Sequence, residues 1–239
     1  MFDGIWIRSG GFHCTLHCCT VWGQIFIVLF LNFPHNPSTA TVDLSFFERA
    51  VEFAHEHDLF VVHDFAYSHI TFGDYEAPSF LQVDGAKEIG VEFTSMSKSF
   101  NMAGWRVGFC VGNPEAVGAL VRLKAYYDYG LFMPVQIATI IALRHCLNEA
   151  DKQAKIYEQR RDVLCEGLQR IGWPVEKPQA TMFVWAPIPE PYKDVDTVDF
   201  AMKTLEEANV AVAPGGAFGP GGEGYVRLAL VENELRLKQ

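Results

Sequence analysis

Residues 95–106 read S-M-S-K-S-F-N-M-A-G-W-R, a short polar turn that holds one lysine, Lys98. Ser95 and Ser97 flank the lysine, and Arg106 closes the stretch. An amine ringed by hydroxyls and a guanidinium suits a lysine partly desolvated beside an anion. Burial favours the neutral, nucleophilic amine, and lysine responds strongly to such surroundings. Schiff-base chemistry needs that form. A solvated loop lysine is the competing reading, because most lysines stay exposed.

The neighbouring segments read as the elements that hold this turn. Val91-Glu92-Phe93-Thr94 alternates like a strand entering a sheet, and the run from Trp105 to Gly112 reads as another buried strand. Further upstream, residues 21–33 are almost wholly apolar. The run is too short to span a bilayer. It lacks a small-residue cleavage site, and only Arg8 is basic before it, so a signal peptide fits poorly. A buried parallel strand, continuous in β-branched and aromatic residues, fits better. It runs into Asn32-Phe33-Pro34-His35-Asn36-Pro37-Ser38, where two prolines predict a rigid, extended loop. Asn36 then stands beyond the carboxyl end of a strand, where open α/β sheets place ligands. An Asx-turn is its plainer role. Asp43 to His57 has helical spacing, with Leu44, Phe47, Ala50, Val51 and Ala54 as the apolar stripe and Asp43 as the cap. Leu59 to His63 is a second buried strand, ending at Asp64-Phe65-Ala66-Tyr67. Strand, helix and strand in succession predict a parallel βαβ unit. Asp64 would be costly to bury there without a cationic partner. His63 and His69 read as core or rim histidines.

The chain has 239 residues, 49% of them hydrophobic and 13% aromatic, enough for one large α/β domain or two smaller ones. A formal net charge of −10 argues against nucleic acid or an anionic membrane as partner. Cys110, Cys146 and Cys165 sit inside apolar patterns, which suits a reduced, cytoplasmic protein rather than a disulfide scaffold. Residues 1–20 show no clear helix or strand period. Within them His13, Cys14, His17, Cys18 and Cys19 crowd together, but adjacent cysteines without a second ligand pair make poor metal spacing. After Lys98, residues 114–128 read as a helix and 134–170 as a long helix linking two domains. Strands follow at 173–187 and 210–214, with a helix at 196–208 between them. The aromatic stretch Tyr126-Tyr127-Asp128-Tyr129 is either a dimer contact or ordinary packing. The glycine-rich run 215–224 is not a dinucleotide fingerprint, because no helix follows it.

Three motifs meet at strand ends: N-P-S at 36–38, D-F-A-Y at 64–67, and S-M-S-K with its following arginine. Together they resemble the pyridoxal-phosphate-dependent aminotransferases of class I/II, fold type I, over about residues 25–231. The finer likeness is to the alanine and LL-diaminopimelate aminotransferases. The resemblance implies a fold-type I α/β transferase: a partial large domain with a mostly parallel sheet, and a small α+β carboxyl-terminal domain. It implies pyridoxal 5'-phosphate as cofactor, amino acids and 2-oxo acids as substrates, a homodimer in the full-length form, and a cytoplasmic location. Lys98 matches the lysine that carries the cofactor covalently. Asp64 matches the carboxylate that pairs with the pyridinium nitrogen, and Asn36 and Tyr67 match the groups on the ring oxygen. Ser95 and Arg106 match phosphate ligands, with Ser97 nearby. Arg227, in Gly224-Tyr225-Val226-Arg227-Leu228, matches the arginine that grips the substrate α-carboxylate.

The same resemblance has gaps. Members of the family are longer at the amino terminus, and no counterpart to that part precedes Phe26. The expected division is a non-native or unrelated segment 1–24, a partial cofactor-binding domain 25–150, a linking helix 151–170, and a truncated small domain 171–239. Central strands of such a sheet would lack neighbours and leave apolar faces and edges uncovered. Three functions stay open: an aminotransferase; a non-catalytic remnant that associates through apolar surface; or another fold-type I enzyme, such as a lyase, since the cofactor ligands are shared.

Overall fold

The computed structural model describes residues 4–7, 14–21 and 24–239, with side chains from residue 28 onward. The side chains of the crowded His13–Cys19 stretch lie outside the described residues. Contacts divide the chain into two units. The first comprises residues 1–34, 42–69 and 76–150, and the second 35–41, 70–75 and 151–239.

The first unit is built on a six-stranded sheet in the order β1-β2-β3-β4-β5-β6. Its strands are β1 (Gly4–Ile7), β2 (Cys14–Val21), β3 (Gln24–Asn32), β4 (Phe60–Asp64), β5 (Gly90–Ser95) and β6 (Gly108–Gly112). Pairing is parallel from β3 through β4 to β5, and antiparallel at β1–β2, β2–β3 and β5–β6. The first two strands were not expected from the sequence. Cys14–Val21 mixes polar and apolar residues without alternation, so it carries no period-2 signal to read.

Between β3 and β4 runs helix α1 (Leu44–Glu56), and Asp43 caps it by accepting from the Phe46 N–H at 3.0 Å. The helix buries Phe46, Phe47, Ala50, Val51 and Ala54, an i, i+3, i+4 stripe. Leu44, expected on that stripe, is exposed, and Phe46 takes its place. The stripe packs with Leu29, Leu31 and Val61, and with Phe80 from a short turn. Phe47 makes edge-on ring contacts with Phe46 at 5.4 Å and Phe80 at 6.1 Å. Burial on β4 alternates, with Val61 and His63 buried and Val62 and Asp64 half-buried. The strand therefore shows α1 one face and carries Asp64 on the other. The face with Asp64 leaves Phe30 and Phe93 exposed.

Two short helices, α2 (Ala86–Ile89) and α3 (Met96–Ser99), bracket β5. Helices α4 (Pro114–Tyr127) and α5 (Met133–His145) follow β6. The sequence from Trp105 to Gly112 predicts a buried strand. Instead, Ala103–Trp105 is a single 3-10 turn, and Phe109 and Val111 on the edge strand β6 are exposed. Helix α4 has no buried residue, and Tyr126, Tyr127, Tyr129, Phe132 and Met133 around its end are all strongly exposed.

One continuous helix over 134–170 was expected. The chain has two, α5 and α6 (Leu147–Arg170), separated at Cys146, which leaves helical geometry and caps α5. Arg144 and His145 in the last turn of α5 suit a helix carboxyl end.

The second unit is α+β. It contains most of α6 and an antiparallel sheet in the order β7-β9-β8, with β7 (Phe183–Pro187), α7 (Thr197–Ala208), β8 (Ala213–Pro214), β9 (Tyr225–Ala229) and α8 (Glu234–Leu237). The expected strand at 210–214 shrinks to Ala213–Pro214. Asn209 adopts the left-handed conformation that ends α7, and Pro214 has no N–H to extend a ladder. Val184, Ala186, Val226 and Leu230 are fully buried in its core.

A charge cluster ties α6 to the following loop. Asp162 accepts from Arg161 at 2.9 Å and faces Lys177 at 3.1 Å. Burial pushes the Asp162 carboxyl up, but the hydrogen bonds from Lys177 and Arg161 outweigh it and hold it below the usual range. The hydrogen bond to Asp162 holds the Lys177 amine above its usual range. A depressed carboxyl stabilises the fold above its unfolded pKa and loses that contribution as pH falls through the folded value. A raised amine contributes fully below its unfolded pKa and is lost as pH rises through the folded value. The melting temperature of wild type is therefore expected to drop relative to Asp162→Asn in two windows, from about pH 4 down to the lowered carboxyl value and from about pH 10.4 up to the raised amine value. Lys177 is largely exposed, so the difference is at most about 1 kcal/mol. Thermal melts across pH measure it.

Candidate functional site

The carboxyl ends of β3, β4 and β5 lie together because these strands are parallel, with Asn32, Asp64 and Phe93 in register. The Asn32 side-chain N–H donates to the Asp64 carbonyl at 2.9 Å, and the Phe65 N–H donates to the Phe93 carbonyl at 2.8 Å. The Asp64 carboxylate accepts from the Ala66 N–H at 3.2 Å, which turns the chain and carries it to the buried Tyr67.

From β5 the chain passes into α3. Ser95 caps that helix, its hydroxyl accepting from the Ser97 N–H at 3.1 Å. The Ser95 hydroxyl keeps its own hydrogen to donate. Lys98 sits on α3, half-buried. Antiparallel pairing sets Ser95 opposite Gly108, and the Met96 N–H donates to the Val107 carbonyl at 3.2 Å. That pairing returns Arg106 to the turn that holds Lys98. Gly108 has to be a glycine for this approach, since a Cβ there would lie 2.5 Å from the Thr94 carbonyl. Arg106 is exposed and left-handed, φ 52°, with a guanidinium nitrogen donating to the Ala103 carbonyl at 3.0 Å.

The first unit thus gathers Asp64, Tyr67, Ser95, Ser97, Lys98 and Arg106 at one edge of its sheet. Asn36 and Arg227 belong to the second unit, where Arg227 donates to the Asn36 side-chain oxygen at 2.7 Å. The loop around Asn36 is a turn and not the extended segment expected, closed by His35 and Ala40 at 2.9 Å and by Thr39 and His35 at 2.9 Å. Phe183 and Phe218 flank Arg227, with its guanidinium carbon 4.2 Å and 4.6 Å from their ring centres. Both rings are within cation–π distance of the guanidinium. In the same unit a cleft of about 540 Å³ is lined by Ser38, Thr39, Thr41, Lys177 and the stacked rings of Trp185 and Tyr225.

The donor set can be tested against a cofactor. A primary amine, a carboxylate, a phenol, two hydroxyls and a guanidinium match an aldehyde, a ring nitrogen, a ring oxygen and a phosphate. No group of metal ligands occurs among the described residues. Among them, too, no helix is long and apolar enough to cross a membrane. No local pattern around Phe183 or Phe218 points to a role in the site. His63 reads as a core or rim histidine, and the signal for Glu92 is a carboxylate between Val91 and Phe93 in a strand, which needs a partner.

Parallel strands that deliver Asp64, Ser95 and Lys98 to one edge, with a small α+β unit in the same chain, are the architecture of a fold-type I transferase. A sequence model of the family "Aminotransferase class I and II" matches residues 23–236. The chain is 49% identical over 215 residues to the glutamate-pyruvate aminotransferase AlaC of Escherichia coli, covering 89% of this chain and 52% of that protein. It is 46% identical to an LL-diaminopimelate aminotransferase of Moorella thermoacetica, covering 89% of this chain and 54% of that one. Substrate-bound BacF from Bacillus subtilis superposes with a TM-score of 0.85 at 37% identity, over 88% of this chain and 53% of that one. The chain belongs to the class I and II aminotransferase family. It spans about half the length of the curated relatives it matches.

Proposed function

We propose that this chain takes part in transferring an amino group between an amino acid and a 2-oxo acid with pyridoxal 5'-phosphate as cofactor. The donor set at one edge of the β3–β5 sheet supports this reading most directly. In it, Lys98 carries the cofactor. Asp64 would keep the pyridine nitrogen protonated, Tyr67 would hold the ring oxygen, and Ser95, Ser97 and Arg106 would hold the phosphate. The cofactor, when bound, supplies an electron sink for the charge released at the substrate α-carbon. The Lys98 amine takes the proton from that carbon, general acid–base work by a group already in reach. Arg227, within cation–π distance of Phe183 and Phe218, holds the substrate carboxylate and orients the Cα–H bond.

The names of the relatives suggest the first substrates to assay: glutamate with pyruvate, and LL-diaminopimelate with 2-oxo acids. Amino-acid biosynthesis in the cytoplasm, by a homodimer, is the setting this reading implies. Arg227→Lys is expected to raise the KM for amino acids about ten- to a hundredfold, because a point charge replaces a bidentate fork. Steady-state kinetics measure it.

A second reading has its own support. Tyr126, Tyr127, Tyr129 and Phe132 are exposed by 87%, 84%, 92% and 72%. Contiguous exposed aromatics mark a surface for association, which a non-catalytic chain would share with a homodimeric enzyme. A non-catalytic chain would show concentration-dependent assembly in sedimentation, and no amino exchange with any pair. Release of a carbon–heteroatom leaving group without amino exchange would point instead to a lyase.

A further inference from the structure

On the face of the sheet opposite Asp64 lies a buried pair that the proposed chemistry does not use. His63 is fully buried and Glu92 is 6% exposed. They are partners in the β4–β5 register. The imidazole Nδ1 lies 3.0 Å from Glu92 Oε2, and Nε2 lies 3.1 Å from the carbonyl oxygen of Phe33. A carbonyl only accepts, so Nε2 carries a hydrogen. The Nδ1–Oε2 contact needs a hydrogen as well, donated either by imidazolium to carboxylate or by carboxyl to imidazole. In both forms the pair holds one shared proton and no net charge. Glu92 is fixed in turn by the Ser79 hydroxyl, 2.9 Å from each carboxylate oxygen, and by the Phe80 N–H at 3.0 Å. Phe47 and Phe65 pack on the imidazole, with ring centres 4.8 Å and 5.0 Å away.

One side chain therefore ties together the residue that follows β3, the last buried position of β4, and β5. Asp64 is the next residue along. Its carbonyl is held by Asn32, and the following N–H is held by Phe93. A strand end with these bonds alone is free to fray. The His63 bridge fixes the strand one residue earlier and from the other face. A side chain on a strand takes its direction from its backbone, so holding His63 holds the direction of Asp64.

We propose that His63, held by Glu92, is a positioning residue that joins the carboxyl ends of β3, β4 and β5 and so sets the Asp64 carboxylate. This rests on the role given to Asp64 above, but the bridge itself is tested without cofactor. An apolar residue at position 63 would fill the volume while leaving the Phe33 carbonyl and Glu92 without the imidazole. His63→Gln can serve one of those two partners but not both.

Native-state hydrogen exchange on the folded chain reads the bridge. The Phe65 amide is expected to lose at least tenfold protection in His63→Gln and in Glu92→Leu, with Leu29 and Leu31 in β3 unchanged. Glu92→Gln is expected to lose protection too, because the oxygen that faces Nδ1 also accepts from the Phe80 N–H, and an amide nitrogen in its place cannot accept. Equal protection of Phe65 in all four proteins overturns the proposal. So does uniform loss across the sheet, which is a merely structural role. The second arm adds pyridoxal phosphate. The pH midpoint of the absorption of the cofactor carried on Lys98 is expected to shift in His63→Gln and in Glu92→Leu. An unshifted midpoint in a variant that has lost Phe65 protection also overturns the proposal. If wild type gives no such absorption, the cofactor reading fails, and the exchange arm decides the bridge alone.

Discussion

Lys98→Ala is expected to abolish the absorption band of pyridoxal phosphate bound to the protein through lysine, and to lower amino transfer by at least about 10²- to 10⁴-fold. The size follows from asking one group to do two things. Its amine forms the covalent link that holds the cofactor, and it then moves the proton at the substrate α-carbon. Nothing in the fold asks it to do a third. The Lys98 side chain makes no hydrogen bond or ion pair among the described residues and is only half-buried. Melting of Lys98→Ala is therefore expected to lie within about 0.5 kcal/mol of wild type. Lys98→Arg keeps the charge but not a nucleophile, because a guanidinium does not deprotonate in proteins. It is expected to fail in the same way as the alanine variant. Absorption spectra of the three proteins after adding cofactor check this, with borohydride reduction and mass mapping of the labelled peptide. A band that survives in Lys98→Ala, with label on another lysine, moves the site elsewhere.

The parts of the fold that could be read in the sequence are those where one local rule decides. Asp43 caps α1 because a carboxylate before an apolar stripe satisfies free N–H groups, and the stripe itself has the period of a helix. Parallel β3 and β4 follow from continuous apolar runs joined by that helix. The grouping of Asp64 with Ser95 and Lys98 at one edge follows from parallel pairing. What escaped depends on distant partners. Phe46 and Leu44 are both apolar and both near the start of α1, and only the position of Phe33, 5.0 Å from Phe46 between ring centres, selects Phe46. Nothing near Glu92 in the chain names His63. Arg227 reads as a strand arginine until Phe183 and Phe218, both remote in sequence, close on it. Exposure on β6 and α4 escaped for another reason. Apolar sequence states a preference for burial, but whether a neighbour exists to bury it is not written in that segment.

Phe47 and Tyr129 show how far that distinction reaches. Both are large aromatics, but Phe47 is 0% exposed and Tyr129 is 92% exposed. Phe47→Ala is expected to destabilise the first unit by about 3–5 kcal/mol, because the lost transfer free energy is joined by a cavity that Phe46, Phe80 and His63 cannot close. Against a typical domain stability of about 5–15 kcal/mol, that is a large share of the whole. The loss also removes one wall from the His63 ring, so its effect spreads toward Asp64. Tyr129→Ala is expected to change stability by no more than about 0.5 kcal/mol. Its effect lies instead in association, where removing exposed ring surface is expected to weaken assembly. Urea unfolding of both variants, with sedimentation at several concentrations, separates the two roles. A Phe47→Ala midpoint equal to that of wild type would mean that α1 does not pack on this face of the sheet. The face assigned to Asp64 would then be wrong as well, since the same alternation along β4 determines both.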